Sequence, residues 1–337
     1  MKRLTCLVLA CLLALSLAAC GAPETETLDI FAMDTYMSLV ATGDGGAEVL
    51  QACSARINAL EQKLSRTIET SDVSRLNADG SALLDADTAA LLDAALRYSA
   101  ETNGAFDVTI APLVALWGIT TDSPRVPSQE EIDALLPLVG SEHVRLSGAT
   151  AALDEGCAID LGGIGKGYAS DETAELFSES GISGGFVSLG GNVYVHGVTA
   201  EGKPWNVAIQ DPRNTENYAC TLRLTDAFVV TSGGYQRYYT APDGTVYQHI
   251  LDPKTGYPVE SDLLSVSILC DNGTMADAYS TALYVMGEEA AVDFWRQQGS
   301  FDMVLVTEDG RVLYTPGLSD CFNQTEGSGY DYQLLAA

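Results

Sequence analysis

The sequence predicts an α+β fold, on three observations. Amphipathic helical periodicity is concentrated early in the chain. Strand-like runs crowd the second half. Two late helices interrupt those strands without the regular strand–helix alternation of a doubly wound parallel sheet. The chain has 337 residues, 47% of them hydrophobic, which suffices for one large domain or two closely joined ones. Its formal net charge of −29 repels phosphate backbones and argues against a nucleic-acid binder.

The first residues carry an address and not a fold. Lys2 and Arg3 precede an apolar run, Leu4 to Leu17, that is too short to span a membrane comfortably. Leu17-Ala18-Ala19-Cys20 then reads as a lipoprotein signal, in preference to an ordinary secretory one. On that reading residues 1–19 are removed, Cys20 is lipidated and 20–28 form a tether. The folded body, 29–315, is then anchored by lipid at the extracytoplasmic face of the membrane.

Leu50, Cys53, Ile57, Leu60 and Leu64 alternate by three and four, which predicts a helix from Ala47 to Leu64. A second is expected over Thr88–Glu101, stopped by Asn103-Gly104. Ser128 and Glu131 resemble a capping box for a third, Gln129–Leu136. Strands are expected at Cys157–Leu161, Phe186–His196, Trp205–Gln210, Cys220–Leu224, Phe228–Thr231 and Leu263–Leu269. Late helices follow near Met275–Met286 and Glu288–Gln298, then a hairpin over Met303–Thr315 turning at Asp309-Gly310. Residues 316–337 read as an exposed tail. Cys53, Cys157, Cys220, Cys270 and Cys321 are scattered, an odd number that reads as buried small hydrophobes.

Two motifs fail. The Asp160–Gly167 run lacks the first Gly and the final Ser or Thr of a phosphate-binding P-loop. Gly181-Ile182-Ser183-Gly184-Gly185 leaves a helix and enters a strand, the reverse of a nucleophile elbow. Three segments survive. Asp160–Gly167 opens a helix to Ser180. With its glycines, the helix N-terminus and Lys166, it reads equally as a pyrophosphate cradle or as a tight structural turn. Asp277 and Thr281, four apart on a helix, share a face that offers hard oxygen ligands to Mg²⁺, Mn²⁺ or Ca²⁺. Taken alone, Asp277 is more simply a helix cap. His249 stands at a strand end before the rigid turn Asp252–Pro258, where a lone histidine is more often structural than catalytic.

Taken in order, eight segments resemble the FAD:protein FMN transferase family, the ApbE-type flavin transferases. They are Met33–Met37, Asp72–Asn77, Asn103–Asp107, Asp160–Gly167, Gly190–Asn192, Thr231–Gly233, His249–Gly256 and Ala276-Asp277 with Ser280–Ala282. The resemblance implies a T-fold-like architecture with mixed and antiparallel sheets. It implies FAD as substrate, Mg²⁺, and transfer of FMN through a phosphoester to a threonine of an acceptor protein, with release of AMP. The acceptors it suggests are membrane redox subunits exposed outside the cytoplasm. Carried over residue by residue, Met33, Ala105, Phe106, Asp107, Asp160, Lys166, His249 and Ile250 would contact FAD. Gly163, Asp277, Thr281 and Ser280 would hold the metal, and His249 and Asp277 would serve catalysis. The chain departs from the family at Ser65–Ile68, where Thr67 replaces an aromatic residue, and at Ser280, where a second aspartate is common. An FAD pyrophosphatase and an exported flavin carrier are the alternatives.

Overall fold

The computed structural model describes residues 23–336, so Cys20 and the signal before it lie outside the described residues. β1 (Thr25–Ala32) and β2 (Thr35–Thr42) form an opening hairpin. β1 therefore starts inside the segment expected to be a tether. Both turn residues, Met33 and Asp34, adopt left-handed backbone, with φ of 49° and 58°. A two-residue hairpin turn of the primed type demands that conformation, and here neither residue is glycine.

Helix α1 (Gly46–Leu64) buries Leu50, Cys53, Ile57 and Leu60 as its periodicity requires. α2 (Asp72–Asp79) begins at Ser71, whose hydroxyl caps it, and leads into β3 (Ser81–Leu83). α3 (Ala86–Glu101), α4 (Ala111–Trp117) and α5 (Gln129–Leu135) follow, the last with the expected Ser128–Glu131 capping box. β4 (Val144–Ser147) and β5 (Thr150–Leu153) form a small sheet with β3. α6 (Gly165–Ser180) ends at Gly181, whose φ of 77° makes the rejected nucleophile elbow a helix cap.

β6 (Gly184–Leu189) and β7 (Asn192–Gly197) form a hairpin, where one run to His196 was expected. Gly190 and Gly191 turn the chain, and a Cβ on Gly190 would lie 2.3 Å from Thr35 Oγ1. β8 (Trp205–Gln210), β9 (Tyr218–Leu224), β10 (Ala227–Ser232), β11 (Tyr238–Thr240), β12 (Val246–Gln248) and β13 (Leu263–Cys270) come next. Helices α7 (Gly273–Met286) and α8 (Glu288–Gln298) precede β14 (Asp302–Thr307) and β15 (Arg311–Tyr314).

Residues after Pro316 are not a tail. β16 (Phe322–Gln324) pairs with β9, and β17 (Asp331–Leu334) runs parallel to β15. Leu318 and Tyr330 are buried in the core beneath them.

Among the described residues the main sheet has nine strands, in the order β1-β2-β6-β7-β10-β13-β14-β15-β17. Its side chains alternate between two cores, as the strand period of two dictates. Val230 joins Leu39, Val187 and Ile268 under the helices, with Leu50, Leu91, Ala169 and Ala278. Val229 joins Val195 and Val304 under the sheet of β8, β9 and β16. A satellite core of Leu113, Trp117, Ile132 and Leu251 lies apart. The five described cysteines are all free.

Cys157–Leu161 is extended without being a strand. The Asn77 amide donates to Ile159 O at 2.9 Å and accepts from Ile159 N at 2.8 Å. One side chain thus takes the place of a neighbouring strand.

Candidate functional site

The glycine-rich turn before α6 and the first turns of α7 make the first wall. The two helices meet so closely that a Cβ on Gly167 would lie 2.3 Å from Gly273 O. In that contact Gly167 N donates to Asp277 Oδ2 at 2.8 Å. Asp277 is only 4% exposed, and one of its two oxygens is committed to this bond. One helical turn on, Ser280 Oγ and Ser232 Oγ are 2.8 Å apart, and Ser232 Oγ lies 3.2 Å from Thr281 Oγ1. Ser232, at the end of β10, joins the hydroxyl cluster from across the sheet. The donors here are a carboxylate, hydroxyls and the nearby carbonyls of the Gly162-Gly163 turn. That chemistry suits a hard divalent cation such as Mg²⁺ and would suit a soft metal poorly.

Asp160 is tied on both oxygens. It accepts from Gly162 N at 2.8 Å and pairs with Arg66 Nε at 2.8 Å. Lys166, in the first turn of α6, reaches back toward Gly162 O at 3.4 Å. Phe106 packs under this turn, where a Cβ on Gly163 would meet its ring at 3.3 Å. Ala105 and Phe106 are buried. The Asp107 carboxylate is taken up internally: Ser99 Oγ donates to it at 3.0 Å, and Thr109 N and Oγ1 donate at 2.9 and 2.6 Å. It caps the turn that follows. A cleft of about 320 Å³ opens beside it, lined by Asn103, Gly104, Asp107, Pro253 and Lys254. A larger acidic cleft of about 600 Å³, between Glu260 and Asp293, contains none of the motif residues.

His249 makes the second wall. It follows the ribbon of β11 and β12, and the satellite core holds the loop after it. Trp117 Nε1 donates to Gly256 O at 2.8 Å, and a Cβ on Gly256 would lie 2.7 Å from Ile132. Asp252, Lys254 and Thr255 fold into a self-bonded turn. Ile250 is buried beneath it. The His249 Nδ1 lies 3.1 Å from Arg237 O. A carbonyl only accepts, so Nδ1 carries the proton and Nε2 keeps its lone pair. Loss of solvation pulls the imidazole down to about 4, and the charges of Arg237 and Lys166 push the same way. The ring is therefore neutral at ordinary pH, and the Lys166 charge is near enough to act on it.

Met33 is half-buried at the β1–β2 turn, and its N–H donates to Glu61 Oε1 at 2.7 Å. Asp34 beside it binds Arg237. The structure thus brings Lys166 toward His249 and joins Gly167 to Asp277, with Ser280 and Thr281 one turn away. Sequence reasoning assigned no role to Ser232, Arg66, Glu61 or Arg237. Only Ser232 stood in a recognised segment, and the other three join through contacts distant in sequence.

These walls belong to a known class. The ApbE family model matches residues 33–305, well over half of the chain, and the chain belongs to that family. Within the class it is a transferase, as its relatives are. An FAD:protein FMN transferase of Escherichia coli (strain K12) is 34% identical over 309 residues, 87% of each chain. One from Treponema pallidum is 33% identical over 297 residues, 81% of this chain and 82% of its own. The crystal structure of an ApbE protein from Thermotoga maritima superposes with a TM-score of 0.80 at 32% identity, covering 90% of this chain and 97% of that one.

Proposed function

We propose that this chain transfers FMN from FAD to a threonine of an acceptor protein and releases AMP. The threonine oxygen forms a bond to the phosphorus of the FMN half, the pyrophosphate P–O bond breaks, and AMP leaves with the bridging oxygen. The observation that carries this reading is the neutral His249, its Nδ1 held by Arg237 O and its Nε2 left to act as base, within reach of the Lys166 charge at the N-terminus of α6. Nε2 takes the threonine proton as the oxygen attacks. Lys166 and the N–H groups that open α6 balance charge on the phosphate oxygens. Gly163 through its carbonyl, Asp277 and Thr281 would hold Mg²⁺, with Ser280 supporting them. When bound, Mg²⁺ supplies Lewis-acid neutralisation of the pyrophosphate. Met33, Ala105, Phe106 and Ile250 would form the apolar lining against the flavin, with Asp107 and Asp160 fixing the turns around it. Lipid on Cys20 would hold the enzyme at the extracytoplasmic face, where membrane redox subunits are the acceptors.

The test is the intact mass of an acceptor protein incubated with the chain, FAD and Mg²⁺, with and without EDTA. An EDTA-sensitive gain of one FMN supports the reading. FAD split to FMN and AMP without any gain would move the assignment to a pyrophosphatase. FAD bound but intact would leave a flavin carrier.

A further inference from the structure

Arg237 uses both of its ends. Its guanidinium donates from Nη1 to Asp34 Oδ2 at 2.9 Å and from Nη2 to Asp34 O at 2.6 Å. Its own carbonyl accepts from the His249 N–H at 3.1 Å and stands 3.1 Å from His249 Nδ1. Asp34 belongs to the left-handed Met33-Asp34 turn, and Glu61 of α1 holds the other half of that turn through Met33 N. A continuous path therefore runs from α1 through the turn and Arg237 to the imidazole. We propose that Arg237 is a positioning residue that couples the β1–β2 turn to the ring of His249.

The argument is geometric. Arg237 immediately precedes β11, and its carbonyl takes the His249 N–H in the register that continues the β11–β12 pairing. The ribbon pairs this carbonyl with His249, and the side chain fixes where that end of the ribbon sits against the β1–β2 turn. A guanidinium binds two acceptors set apart, here one side-chain and one main-chain oxygen, and an ammonium cannot reproduce that fork. The turn it grips has two consecutive non-glycine residues in a sparsely populated conformation, which persists only when its surroundings over-determine it. The pair is exposed, 43% at Arg237 and 74% at Asp34. Exposed ion pairs add little stability, so what the clamp supplies is orientation.

This inference rests on His249 being the base, but it is tested without activity. The full chain is labelled with ¹⁵N-histidine, and the ring signals of His249 are assigned by their loss in His249→Ala. The unmodified chain should show a single Nδ1–H tautomer at neutral pH. Arg237→Gln should show mixed tautomers, and so should Asp34→Ala. Where transfer is measurable, kcat should fall about ten- to a hundredfold, the scale of a misplaced reacting group. The FAD Kd should stay within about twofold, because neither residue is assigned to flavin contact. Arg237→Lys should recover part of the rate, and the double variant should be no slower than Arg237→Gln alone. An unchanged tautomer in both folded single variants would overturn the coupling. A shifted tautomer in a chain without transfer activity would uphold the coupling and reject only the proposed function.

Discussion

Asp277 and His249 are held in place by different means. Asp277 is in the interior of the main fold, on a helix pressed against another helix at a glycine crossing, with its carboxylate bonded to Gly167 N. His249 follows a two-stranded ribbon that is held by a satellite core and one exposed clamp, with Ile250 beside it entering the main core. The first wall cannot change without changing the core. The second meets that core through Ile250 and otherwise rests on the ribbon, the satellite core and the clamp. On the proposed roles of the two residues, stability and rate should separate by wall.

The largest effect should come from the rigid wall. Gly167→Ala forces a Cβ to 2.3 Å from Gly273 O. Overpacking of well-packed interiors costs about 1–3 kcal/mol and more where backbone is struck; urea unfolding should show a loss at the upper end of that range or beyond. A Gly167→Ala chain of unchanged stability would remove the comparison altogether.

His249→Ala should do the reverse. Transfer should fall by about 10²–10⁴, the usual contribution of a general base, while the melting temperature and FAD binding hold. Intact-mass rates and flavin fluorescence check both halves of that statement.

The acid limb of the rate sharpens the picture. The folded imidazole is pulled down to about 4, below the unfolded value of about 6.5. The rate should therefore lose its base only as the pH falls through about 4, with no limb from His249 near 6.5. Between those values the unfolded chain binds a proton that the folded chain refuses, so this residue makes stability fall as the pH drops from about 6.5 toward 4. Stopped transfer assays in buffers from pH 3.5 to 8 would show the limb, and its appearance near 6.5 would contradict a desolvated ring.

Trp117→Phe should have the smallest effect. It deletes the 2.8 Å bond to Gly256 O and should cost about 1 kcal/mol. It should slow transfer more than it weakens FAD binding, because the loop it supports directly follows His249.

The elements that periodicity could reveal were revealed. α1, α3, α5, α7 and α8 stand within two residues of expectation, because each carries an apolar stripe, a cap or both. What local pattern could not reveal were pairings across the chain. The β1–β2 turn uses Met33 and Asp34 where a glycine would have announced it. β17 earns its place only by lying beside β15. Cys157–Leu161 has strand-like residues, but Ile159 is satisfied by Asn77, some eighty residues earlier, and Asp160 N by Val108 O. The site follows the same rule. Asp277, Lys166 and His249 stand in recognised segments, whereas Arg237 and Glu61 acquire meaning only through the partners that folding brings to them.

Lys166, and Arg66 in its pair with Asp160, flank the glycine-rich turn of a molecule whose net charge is −29. A dianionic dinucleotide approaching from afar meets the whole negative field first, and meets these cations only within about a Debye length, roughly 10 Å at 0.1 M salt. Adding salt weakens the distant repulsion more than the close attraction. Encounter with the substrate should therefore quicken as ionic strength rises from very low values, contrary to the usual behaviour of phosphate-binding proteins.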